Sequence, residues 1–330
     1  MIKGEGSNGK PWCLANRDLR HGQSPYRFDQ VSFGRHQTFH LRYAWLTKGF
    51  QAMSADPRAF DGEESTVTLG VGKNMVVAIH YWLQATRIAE RRPAGLCPTA
   101  LGQAVFAEDG LDPYLEDEAT IWLIHWLLAT NGAQATVWRW FFNHFHQAEF
   151  SLPEAGNALT RFVQERLGNK APPKTMVNDL RILLRMYEPS AVGPRVPLED
   201  ALDSPLSVLG LMRALPESNR HRSVAEERDG PPDGIFGYAI TDLFDQIGLR
   251  TLPIGELMYG RPGFPALGAV FRLTENALIT KLERIIRCLP GRFALREQAG
   301  VHQLYSLRDA IDPMDYLRSH YRRGQPANTR

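Results

Sequence analysis

Residues 121–129 are apolar around the whole circumference of a helix: Ile121, Trp122, Leu123, Ile124, Trp126, Leu127 and Leu128, with only His125 interrupting. A surface helix keeps one polar face, so a helix without one must be enclosed by other elements. This run therefore demands a surrounding shell. The segments on both sides supply it with helical periodicity rather than strand alternation. The run is also the longest apolar stretch in the chain and far shorter than the ~20 residues that span a bilayer. Residues 1–10 are polar and glycine-rich, with no apolar signal core. The expectation is a cytoplasmic protein without a membrane segment. At 43% hydrophobic and 22% charged residues, 330 residues suffice for two or three packed units.

Turn and cap residues divide the chain. Residues 1–30, with Gly4, Gly6, Gly9 and Gly22, read as a partly flexible leader. A helical signature unit follows over 31–150. Thr38 is placed to cap a first helix whose stripe is Phe39, Tyr43, Leu46 and Phe50. Residues 65–69 read as a short strand. Helices are expected at 75–91, stopped by Pro93 and Gly95, and at 99–107. The apolar helix opens on Glu116, Asp117 and Glu118, carboxylates that complement its dipole. Thr136 caps an aromatic helix with Trp138, Phe141, Phe142 and Phe145 on one face. A helical middle and loop-rich linker span 151–232. Ser151 and Glu154 form a capping box, a break falls at 170–174 and another helix runs from Thr175 to Tyr187. The charged stretch 217–230 is expected to be mobile. Helices at 234–247, 252–259 and 274–288, then two short strands around Gln298-Ala299-Gly300 and a closing helix at 309–323, predict a winged-helix-like basic unit over 233–330. The fold class is thus mainly α, multi-helical, with a small β-hairpin in its C-terminal unit.

Net charge is +2 but unevenly spread. Residues 1–150 carry 14 basic and 15 acidic side chains, residues 151–250 carry 12 and 14, and residues 251–330 carry 12 and 7. Lys and Arg neutralise phosphates, so the last quarter is the place to look for a nucleic-acid face. Lys281, Arg284 and Arg287 fall along one side of the 274–288 helix, with Leu278, Leu282, Ile285 and Ile286 on the core side. Arg292 and Arg296 follow in the hairpin. The pattern fits a recognition helix beside a wing, and equally an ordinary amphipathic helix.

Other groupings are weaker. Gly70-Val71-Gly72-Lys73-Asn74 opens a helix, and amides left open by glycine beside a lysine suit an anion. The loop lacks the G-x-x-x-x-G-K-[S/T] pattern, so no nucleotide is expected, and a tight structural turn explains it as well. His36 and His40 are four apart, flanked by Arg35 and Arg42, which permits a metal pair or phosphate contacts. Arg139 and His144 have the R-x-x-x-x-H spacing of small helical nucleases, which leaves His144 a candidate general base. Asp112, Glu116, Asp117 and Glu118 can help hold Mg²⁺ or simply compensate a helix dipole. Cys13, Cys97 and Cys288 are dispersed and have no metal spacing.

In combination these segments form a recognisable set: Phe33-Gly34-Arg35-His36-Gln37-Thr38-Phe39-His40-Leu41-Arg42, Leu69 to Met75, Asp112 to Asp117, Trp138 to Phe145, and Ala299-Gly300-Val301-His302-Gln303-Leu304. Over 31–320 the chain resembles a bacterial domain-of-unknown-function family, number four thousand and seven. Its members are similar to the SspB-type component of DNA phosphorothioation systems, which defend bacteria against phage in the manner of restriction-modification. The resemblance implies a DNA-nicking subunit (an endonuclease) working with a cysteine desulfurase, an ATPase and a sulfurtransferase, helped if it cuts by Mg²⁺ or Mn²⁺. It carries over no catalytic residue. Gln37 stands where an acidic residue is expected, which weakens any metal site around His36. Two readings stay open: a nickase, and a non-catalytic DNA-binding adaptor that recruits the sulfur-transfer enzymes. The residues to watch are His36, Arg42, Gly70, Gly72, Lys73 and Asn74 for a phosphate site, and Lys281, Arg284, Arg287 and Arg292 for DNA. His144, Asp117 and His36 are the catalytic candidates.

Overall fold

The computed structural model describes residues 31–168, 171–189, 204–261, 263–298, 300–308 and 311–324. The leader at 1–30, Cys13, Lys170 of the expected break and the prolines at 194 and 197 lie outside them. Thirteen α-helices and three small antiparallel sheets make up the described residues.

The enclosed helix is α5 (Glu118–Thr130), and every residue from Ala119 to Thr130 is buried. It packs directly against α6 (Thr136–His144) and the helix Asp233–Ile247, and the same part of the chain also holds α1 (Tyr43–Ala55), α2 (Ser65–Leu69), α3 (Lys73–Ala85), α4 (Ala100–Phe106), α7 (Leu152–Leu167) and α8 (Pro173–Tyr187). Buried apolar side chains from Leu41 to Tyr321 form one connected core. Tryptophans set its geometry: Trp82 meets Trp138 edge-on, and Trp126 stacks on Phe271 while its indole N–H donates to Asp242 at 3.1 Å. Such rings bury the largest area per residue and find a partner for their one polar atom.

Several elements depart from expectation for local reasons. The first helix begins at Tyr43, not at Thr38. Gln37 and Thr38 both take positive φ in a tight turn, and the Thr38 hydroxyl donates to the Gln37 carbonyl instead of capping. Residues 65–69 are the helix α2, not a strand. The Ser65 and Thr66 hydroxyls bond back to the carbonyls of Gly62 and Glu63 and start the turn. The expected 75–91 helix ends at Ala85 and gives way to a hairpin, β1 (Ala89–Arg92) and β2 (Gly95–Pro98), turned by Pro93-Ala94. Thr136 is not a cap but the first residue of α6, its hydroxyl bonded to the Gly132 carbonyl. The Ser151–Glu154 capping box forms, with both reciprocal bonds present.

The 217–230 stretch is built in. Strands β4 (Arg213–Leu215) and β5 (Arg220–Arg222) pair with each other, and β5 also pairs with β3 (Glu149–Phe150). Arg228 donates to the carbonyls of Leu209, Gly210 and Arg272.

The C-terminal part runs α9 (Asp233–Ile247), β6 (Thr251–Pro253), α10 (Ile254–Tyr259), α11 (Leu267–Val270), α12 (Glu275–Cys288), β7 (Phe293–Gln298), β8 (Val301–Ser306) and α13 (Met314–Gly324). The strand order is β6-β8-β7. Helix α13 crosses α9 at glycines: a Cβ on Gly237 would fall 2.2 Å from the Tyr316 ring, so only glycine admits that contact.

Candidate functional site

The expected phosphate loop is an elbow between two helices. Gly70 closes α2 with φ 57°, a left-handed conformation that favours glycine. Lys48 donates to the last carbonyl of α2, that of Leu69, at 3.0 Å. Gly72 is the N-cap of α3, and Lys73 and Asn74 follow in its first turn, both exposed. Arg42 lies with its guanidinium over the Trp45 ring at 5.4 Å.

His36 is elsewhere. It is 1% exposed, stacked on Trp82 and edge-on to Tyr81 and Trp138. Its Nε2 lies 3.0 Å from Asp179 Oδ1, and the Gly34 N–H donates to both Asp179 oxygens. The signature at 33–38 is thus a clasp fastening the turn to α8. His40 is also buried, so the pair presents no surface metal site.

The acidic run is engaged in capping. Asp117 Oδ1 accepts from the Ala119 amide at 2.8 Å, and its Oδ2 lies 3.1 Å from His320 Nε2. Asp112 is buried and accepts from the amides of Glu116 and Asp117 and from the Thr120 hydroxyl. Thr120 in turn meets the Tyr321 hydroxyl at 2.6 Å. At the end of α6 the His144 ring stacks on Phe162 and stays partly open to solvent. Loss of solvation, then the charges of Arg139, His146 and Arg166, push its pKa down to about 4. It is neutral at neutral pH, as a general base must be. Arg139, by contrast, is buried and donates to the Thr130 carbonyl at 3.5 Å.

The basic side foreseen on α12 divides. Lys281 is 2% exposed, and its ammonium is held by the carbonyls of Asp229 and Pro231, with Asp233 at 3.6 Å. Desolvation lowers its pKa. Arg284 bonds to Asp229 at 2.8 Å and to Asp233 at 3.1 Å. Both therefore fasten the segment 229–233, Lys281 from a buried position and Arg284 with part of its side chain still open to solvent. Among the four basic residues foreseen, Arg287 is outward, 68% exposed, with only Glu283 at 3.8 Å. Arg292 sits at the root of the hairpin, bonded to Asp315 at 2.6 Å. Arg296 is exposed in β7, over the Tyr305 ring at 5.1 Å.

A cleft of about 380 Å³ separates the start of α5 from that loop, bounded by Asp117, Glu118, Trp122, Asp233, Lys281 and Arg284. Sequence reasoning named Asp117, Glu118, Lys281 and Arg284 separately and did not bring them to one cleft. Gly230 rests on the Trp122 indole, where a Cβ would come within 2.6 Å of the ring. Among the described residues, no three His, Cys, Asp or Glu side chains converge as a metal site.

Residues 33–321 match the family described as protein of unknown function (DUF4007), so the chain belongs to that family. No curated protein sequence matches it. Among solved structures it is similar to two crystal structures of SspB. One is magnesium ion-bound and 26% identical, the other 28% identical. Each has a TM-score of 0.79, with 91% of this chain and 92% of the other covered.

Proposed function

We propose that this chain is a DNA-binding component of a DNA phosphorothioation system, acting in anti-phage defence, and that its C-terminal unit, 233–330, is the DNA face. The observation that carries the reading is topological. Helix α9, strand β6, helices α10, α11 and α12 and then the β7–β8 hairpin, with β8 pairing to β6, resemble the succession of a winged helix with one short helix added. In that geometry α12 lies along the major groove and the hairpin along the flanking backbone. On α12 and the hairpin the outward side chains offered to DNA are Arg287 and Arg296, with Asn276 and Thr280 on the same exposed stripe of α12 as Arg287. Lys73 and Asn74 in the first turn of α3 offer a second phosphate contact.

Within that reading the chain serves as an adaptor. It positions DNA for the sulfurtransferase, ATPase and cysteine desulfurase of the same system, in the cytoplasm. Among the described residues no helix is long and apolar enough to cross a membrane. A second reading, a DNA nickase, is favoured by the magnesium ion-bound state of a similar protein. The donors described here do not converge on such an ion, and no step is derived through one. His144 and Asp117 are the groups that reading would have to use.

Supercoiled plasmid incubated with purified protein in Mg²⁺, Mn²⁺ or EDTA separates the two. The adaptor predicts intact supercoils together with salt-sensitive binding. Metal-dependent open circles, lost in His144→Ala, would replace it with the nickase.

A further inference from the structure

Where α12 ends and β7 begins, Leu289 and Arg292 face α13 across an open groove of about 650 Å³, whose far wall is Asp315, Arg318, Ser319 and Arg322. Asp315 bridges two of the three guanidinium groups: its Oδ2 takes Arg292 at 2.6 Å and its Oδ1 takes Arg318 at 3.3 Å. Asp312 reaches Arg318 at 3.4 Å. Arg322, one helical turn beyond Arg318, is exposed and makes no ion pair among the described residues. Arg292 Nη1 is buried without a hydrogen-bond partner, and its guanidinium lies 5.5 Å from the Tyr316 ring centroid. The lining thus holds three cations against one carboxylate, and a hydroxyl at Ser319.

We propose that this groove binds a phosphate group. Asp315 tethers Arg292 and Arg318 through its two oxygens, and Arg322 supplies the charge that no carboxylate among the described residues offsets. A guanidinium presents paired N–H groups at the spacing of two phosphate oxygens, so planes held in advance lose little freedom when the anion arrives. Lysines would give point charges without that match. The phosphate comes either from a DNA backbone or from a free phosphate compound. The site stands on the groove itself, and only the first source rests on the DNA-binding reading.

The full-length protein and its Arg322→Gln and Arg318→Gln variants are titrated with a short DNA duplex across a salt series. Their melting is also followed with inorganic phosphate against chloride at matched ionic strength. Both variants should melt close to wild type, and Arg322→Lys keeps the charge without the fork. A backbone contact predicts several-fold weaker duplex binding in Arg322→Gln and a salt slope shallower by about one. Arg322→Lys should restore the slope but only part of the affinity. If wild type ignores the duplex but phosphate stabilises it saturably, and Arg322→Gln does not respond, the site stands for a free phosphate and the DNA reading falls. Unchanged duplex binding and salt slope in both variants, with no saturable phosphate effect that they lose, overturns the groove and leaves the DNA reading intact.

Discussion

Around α5 the polar side chains are turned inward and held by partners inside the protein. Around α13 they are turned outward, with arginines in excess. His125 shows the first behaviour: fully buried, its Nδ1 takes the Tyr187 hydroxyl and its Nε2 the Val270 carbonyl, each at 2.8 Å. Asp112, His36 and Asp179 behave alike. Arg287, Arg318 and Arg322 show the second. Most of the recognisable segments, all but 299–304, lie in the first region, where they hold shape. The arginines proposed to meet a polyanion lie in the second, and among them Arg322 has no carboxylate partner among the described residues. The proposed DNA face therefore lies apart from most of the signature. A residue's place in a signature says little about contact with a ligand until its burial is known.

The largest expected effect lies in the first region. Trp126→Ala removes a fully buried indole and leaves Asp242 without that donor. It should cost about 3–5 kcal/mol in denaturant unfolding, while the protein that remains folded binds DNA as before. Next is Asp179→Ala, which strands the Gly34 amide and the His36 ring and should cost about 1–3 kcal/mol. A loss of DNA affinity beyond the loss of folded protein would show the 33–38 clasp to be more than structural.

Acid breaks the comparison in a third way. Burial pushes the His125 pKa down to about 3, against the usual 6.5. The unfolded chain takes up this proton near 6.5, and the folded chain refuses it until about 3. The contribution is therefore complete above pH 6.5 and lost as pH falls toward 3, at up to about 1.4 kcal/mol per unit. His144, partly open to solvent and lowered to about 4, adds the same sign more weakly. Unfolding free energy against pH should slope in this window, and His125→Gln should flatten it. The smallest stability effect belongs to the second region. Arg287→Ala with Arg296→Ala should stay within about 0.5 kcal/mol of wild type, yet make the salt dependence of DNA binding shallower by up to about two.

The helical class, the buried α5, the Ser151 capping box and the β7–β8 hairpin were legible in the sequence, because periodicity and turn residues act locally. The clasp was not. His36 and Asp179 lie 143 positions apart, and nothing near either announces the other. Lys281 and Arg284 looked like a DNA face because spacing reports the side of a helix, not what covers it. Of their partners, Asp229 sits in the stretch 217–230 whose charge suggested mobility, and Asp233 opens α9. Helix α2 was misread because Thr and Val favour strands, while a five-residue helix is decided by hydroxyl bonds at its start. The groove at α13 needed the chain's last described helix to come back over α9, a contact written in Gly237 and Tyr316 but visible only once both are placed.

Amide hydrogen exchange of the full chain, with and without saturating duplex DNA, tests the division between the two regions most directly. Protection gained over 276–306 and in α13, with the 33–50 segment and α5 unchanged, is the predicted result. Protection at 33–50 and 70–76 with none in the C-terminal unit would contradict it, and would return the signature residues to the DNA.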